Sequence, residues 1–83
     1  MNIESQIKEL ISEIVETNGY MLDEVLYEKE GSTYFLRIVI DKEPSVNIDD
    51  CVLVSRLINP LIDEKDLIKE NYILDVCSKE KGN

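Results

Sequence analysis

The chain has 83 residues, 43% of them hydrophobic and 33% charged, with 18 acidic against 9 basic side chains and a formal net charge of -9. This length suits one small domain with a modest core, and the apolar share is too high for a disordered chain. The negative field repels phosphate, which argues against broad nucleic-acid binding and for a basic partner, while the absence of histidine removes His-based triads, general bases and metal ligands.

Ile3, Ile7, Leu10, Ile11, Ile14 and Val15 recur at three- and four-residue steps between charged residues, the pattern of an amphipathic helix. Asn18-Gly19 follows, where glycine supplies a left-handed helix end. From Tyr20 to Glu28 the chain reads as extended, with its phase open: Tyr20, Leu22 and Leu26 compete with Met21, Val25 and Tyr27 for the inner face. Lys29-Glu30-Gly31-Ser32 suits a tight hairpin connection.

Thr33 to Asp41 is rich in β-branched and aromatic residues, with Tyr34, Leu36, Ile38 and Ile40 in one phase and Phe35, Arg37, Val39 and Asp41 in the other. Lys42 to Ser45, with Pro44, reads as a loop. Asn47 is then an N-cap candidate whose side chain can accept from the N–H of Asp50, and Asp49 and Asp50 fall in the first turn beside the positive end of the helix dipole. Val46 and Cys51 are placed to touch as a hydrophobic staple. Cys51, Val54, Leu57, Ile58, Leu61 and Ile62 form the stripe of this second helix. Pro60 predicts a kink or a restart near Asn59. Asp63 to Glu70 is charged and reads as a connection. Tyr72 to Ser78 alternates as a last strand, and residues 79–83 read as a disordered tail.

The order α-β-β-α-β predicts an α+β fold: a two-layer sandwich in which two helices cover one face of a three-stranded sheet. A helical crossover makes the third strand parallel to the second, whichever strand it sits beside. No apolar run is long enough to span a bilayer and no signal segment opens the chain, so a cytoplasmic protein with Cys51 and Cys77 as reduced thiols is expected.

Asp49 and Asp50 are fully explained as a helix start. An EF-hand loop counted from Asp41 would need Gly and Glu where the chain has Val46 and Val52. A KH-type grip on RNA needs a GXXG loop, and Gly19, Gly31 and Gly82 are not so spaced. Neither a metal, a cofactor nor a small-molecule substrate is expected, nor an enzyme, the Asp pair being the one weak basis for a reaction. The sheet face away from the helices, with Phe35, Arg37 and Val39 on one strand and Ile73, Asp75 and Cys77 on the next, reads as a half-solvated face or a docking surface. Arg37, Lys42 and Arg56 are the candidate contacts for RNA, and Phe35 and Val39 those for protein.

NGYMLDEVLYEKEG (18–31), LRIVIDKE (36–43), VNIDDCVLVSRLINPLID (46–63) and YILDVCS (72–78), in this order, resemble the N-terminal domain of the ribosome maturation factor RimP family. The resemblance implies a non-enzymatic binding protein acting in assembly of the small (30S) ribosomal subunit, in contact with a basic ribosomal protein and nearby rRNA. It differs from the family's pattern after Ser78, where a Ser-Pro-Gly turn and an SH3-like barrel typically follow. One domain over residues 1–78 without that barrel is the expectation. The alternative is a stand-alone interaction domain that homodimerises through its open sheet face.

Overall fold

The computed structural model describes residues 2–79. Helix α1 (Ile3–Thr17) begins where the Asn2 side chain accepts from the N–H of Ser5 at 2.8 Å, and it buries Ile7, Ile11 and Val15. It ends in a Schellman motif: Gly19, at φ +91°, donates to the Glu16 carbonyl at 3.0 Å and Tyr20 donates to that of Val15 at 3.2 Å. That geometry turns the chain back toward the helix and drives Tyr20 into the core.

Strands β1 (Met21–Glu30) and β2 (Thr33–Asp41) form an antiparallel hairpin closed by Gly31-Ser32, with Gly31 at φ +63°. The open phase of β1 has a structural cause. The register shifts between Leu22 and Glu24, so a bulge at Asp23 moves the inward phase from Tyr20 and Leu22 to Val25 and Tyr27. Each of the competing patterns holds for part of the strand.

Helix α2 (Ile48–Lys65) runs uninterrupted across Pro60, so the restart expected near Asn59 does not occur. Ile58 and Ile62 anchor the helix on either side of the proline, while Arg56 and Pro60 lie on the exposed side, where water can take the carbonyl that loses its donor. The helix also continues into the stretch expected to be a connection, ending at Asp66, whose φ of +51° gives a left-handed cap. The remaining link is not merely charged: Ile68 is buried in the core. Across it, Tyr27 stacks on Tyr34 at 5.4 Å and donates to Glu70 Oε1 at 2.9 Å, tying β1 to the entry of the last strand.

Strand β3 (Tyr72–Ser78) lies beside β2 and parallel to it, giving the sheet order β1-β2-β3 with β2 central. The crossover through α2 that a parallel pair requires leaves β3 at the edge, beside β2. Leu36, Ile38 and Ile40 of β2 are fully buried under Ile7, Ile11 and Val15 of α1 and Val54, Ile58 and Ile62 of α2. The fold is thus the α+β sandwich expected, with both helices on one face. Of the residues read as a tail, Lys79 extends the ladder by donating to the Ile40 carbonyl at 2.8 Å, and residues 80–83 lie outside the described residues.

Candidate binding surface

Three chain segments meet at the start of α2. The Asn47 side chain accepts from the N–H of Asp50 at 2.9 Å, and Asp50 Oδ2 accepts from the N–H of Asn47 at 2.9 Å, completing a capping box. The other oxygen, Oδ1, accepts from the Tyr20 hydroxyl at 2.6 Å and from Lys42 Nζ at 3.1 Å. Lys42 also lies 5.4 Å from the centroid of the Tyr20 ring. Asp50 is only 9% exposed, and its charge is tolerable because three donors meet the two carboxylate oxygens. The Tyr20 hydrogen bond, then the Asn47 backbone and Lys42, hold its carboxyl down at about 2. The same bond to Asp50, with burial, pushes the Tyr20 hydroxyl up to about 12.

The cap and the first-turn acids were readable from local spacing, but Tyr20 and Lys42 as partners of Asp50 were not. The nearest available signal is a tyrosine directly after a helix-ending glycine, the position from which a Schellman turn sends a side chain inward. Asp49, by contrast, is exposed in the first turn.

On the sheet face away from the helices, Arg37 of the central strand reaches both neighbours. It meets Glu28 at 2.6 Å and Glu30 at 3.0 Å on β1, and Asp75 at 3.4 Å on β3. Its guanidinium sits 4.9 Å from the centroid of the Phe35 ring. Hydrogen bonds to Glu30 and Glu28 raise its pKa further above the ordinary arginine range. Phe35 and Val39 are half-buried to either side of it, and Ile73 on β3 is 50% exposed.

The five nominated binding residues therefore do not form one patch. Phe35, Arg37 and Val39 share the open face; Lys42 is engaged with Asp50 at the sheet end; Arg56 is exposed on α2, and none of the described carboxylates pairs with it. Sequence spacing alone missed a different set of exposed apolar residues, Ile48, Val52 and Leu53, on the first turns of α2.

Cys51 and Cys77 are free and half-buried. Cys51 is thus less deeply placed than Val54, Ile58 and Ile62 of the same stripe. Burial, and after it Asp50 for Cys51 and Asp75 for Cys77, pushes both thiols up. The helix N-terminus does not make Cys51 a reactive thiolate, because the acids of the same turn oppose it. Among the described residues no helix is long and apolar enough to cross a membrane.

Fold and surface together define a small two-layer α+β domain that carries a cross-strand acidic cluster and unpartnered apolar side chains. The family model for the RimP N-terminal domain matches residues 10–79, and the chain belongs to that family, one of ribosome maturation factors.

Proposed function

We propose that the chain acts as a binding module in assembly of the small ribosomal subunit, holding a basic ribosomal protein close to rRNA in the cytoplasm and catalysing no reaction. The observation that carries this reading is the family match over residues 10–79. The net charge of -9 supports it physically, since an acidic domain draws in a basic partner and speeds their encounter. Phe35 and Val39 offer the apolar contact on the open face, while Arg37 and Lys42 are held by carboxylates and leave Arg56 as the freer candidate for RNA.

The homodimer alternative has less support. A two-fold contact through the open face would bring together two clusters in which one guanidinium stands against Glu28, Glu30 and Asp75. That is a like-charge juxtaposition.

The test is a pull-down from cell extract with a salt titration, together with sedimentation on a gradient that separates immature from mature small subunits. Recovery of small-subunit protein and its RNA, released as salt rises, is the expected result. A chain that sediments as a concentration-dependent dimer and recovers neither would overturn the proposal.

A further inference from the structure

The two edges of the sheet are treated differently. On β1 the outward N–H of Tyr27 donates to Glu4 Oε2 of α1 at 2.8 Å, so a carboxylate plugs the edge. The strand also carries a bulge and the charges Asp23, Glu24, Glu28, Lys29 and Glu30, all devices that discourage pairing with another strand. On β3 the single charge is Asp75, already held by Arg37.

Which β3 groups face outward follows from the ladder. Lys79 donates to the carbonyl of Ile40 on β2, and in a parallel pair alternate residues bond the neighbour. Ile73, Asp75 and Cys77 therefore turn their backbone groups to β2, and Leu74, Val76 and Ser78 turn theirs to the free edge. No other strand pairs with that edge among the described residues.

A trough runs alongside it. Its middle is a groove of about 480 Å³ between Leu74 and Val76 of β3 and Ile48 and Val52 of α2. At one end it continues past Ile48 and Cys51 to Asp49 and Ser78, and at the other past Leu74 to Asp63, Asp66 and Glu70. Ile48 is 81% exposed and Val52 45%, unusual for aliphatic residues on a domain with so small a core. The middle is mainly apolar, one end carries Asp49 and the other carries Asp63, Asp66 and Glu70. The cations beside it are Arg56 and Lys69, and Lys69 is paired with Asp66 at 3.2 Å.

We propose that this trough takes an extended segment of a basic protein, which adds to β3 as a fourth strand. Its backbone bonds Leu74, Val76 and Ser78, its aliphatic side chains cover Ile48 and Val52, and its lysines or arginines meet the acidic ends. A second copy of this chain is a poor occupant, because it would bring the same acidic rim and its own charge of -9. The inference rests on the binding-module reading and names the surface through which it acts.

The test uses the full chain with the basic proteins extracted from small ribosomal subunits as the probe. Amide exchange of β3 is followed by mass spectrometry, and affinity is measured for the wild type, for the trough variant I48R/V52R and for the open-face variant F35A/V39A. The trough residues are exposed, so the arginines leave the core intact, which circular dichroism checks. Expected are slowed exchange at Leu74, Val76 and Ser78, and an affinity loss of roughly tenfold or more in I48R/V52R that exceeds the loss in F35A/V39A. Binding that leaves β3 exchange and the trough variant unchanged overturns this inference while the proposed function stands. A wild-type chain that binds none of these proteins overturns both.

Discussion

Replacing Tyr20 by Phe removes one hydroxyl and nothing else, and the structure makes its cost calculable. The hydroxyl donates to Asp50 at 2.6 Å in a site where Tyr20 is 5% exposed, so water cannot step into its place without opening the core. A hydrogen bond to an ionised group contributes about 1.5–3 kcal/mol, and the lower half of that range applies because Lys42 and the Asn47 N–H remain as donors. For a domain of this size each kcal/mol moves Tm by about 4–8 °C, so a fall of roughly 6–18 °C is expected at pH 7. The pH dependence gives a second, independent check. The Asp50 carboxyl is held at about 2, below its ordinary value of 3.8, so its stabilising effect is complete above the ordinary range and is lost as pH falls toward 2. Without the Tyr20 donor the folded pKa rises, and less stability is lost on acidification. The gap between wild type and Tyr20→Phe should therefore narrow between about pH 5 and pH 2. Thermal melts by circular dichroism across that range make the measurement. A Tm near that of the wild type at pH 7, or a gap that does not change with pH, would refute the reasoning.

The remaining predictions concern the core, the open face and the thiols. Ile58→Ala empties a fully buried position under β2 and should cost about 2–5 kcal/mol by urea unfolding; a cost below about 1 kcal/mol would mean that Ile58 does not pack as described. Arg37→Met leaves Glu28, Glu30 and Asp75 without their shared cation, so the variant's Tm should rise with added salt more steeply than that of the wild type, as screening relieves the repulsion. Equal salt slopes would show that the cluster is already well screened. Cys51 and Cys77, raised by burial and neighbouring carboxylates, should react with iodoacetamide more slowly at pH 7 than a free cysteine, and faster reaction at either one would contradict its described surroundings.

The sequence announces those parts of the fold whose physics is local. Alternation in Thr33–Asp41 follows from burial of one face, and the Asn47 cap follows from the need of Asp50's N–H for an acceptor three residues away. What escapes is decided by distant partners. Period-two reading assumes one phase per strand, and the Asp23 bulge breaks that assumption, which is why β1 looked undecidable. The helix does not restart at Pro60 because the cost of the lost bond is local, whereas the burial of Ile58 and Ile62 that outweighs it is tertiary. Ile68 vanished among charged neighbours because one apolar residue has no period. On the surface, Phe35, Arg37 and Val39 were correctly placed together by strand phase. The carboxylates around Arg37, by contrast, come from both flanking strands, and knowing them requires the strand order.

That last point bears on how an acidic domain could work beside RNA. Arg37, Lys42, Lys69 and Lys79 are each within ion-pair distance of a carboxylate, so these four charges are engaged inside the domain. Association with RNA that drew on phosphate contacts would fall with salt in proportion to the cations engaged, and Lys8, Lys29, Arg56 and Lys65 are the described cations outside those ion pairs. Because the net charge of -9 repels phosphate, a steep salt dependence in the proposed complex would belong to the basic partner's own contacts with RNA, with the acidic domain contributing through its attraction to that partner. Substituting Arg56 by Gln separates the two cases. The salt slope of RNA recovery stays as it was if the partner carries the RNA, and it decreases by about one contact if Arg56 meets phosphate directly.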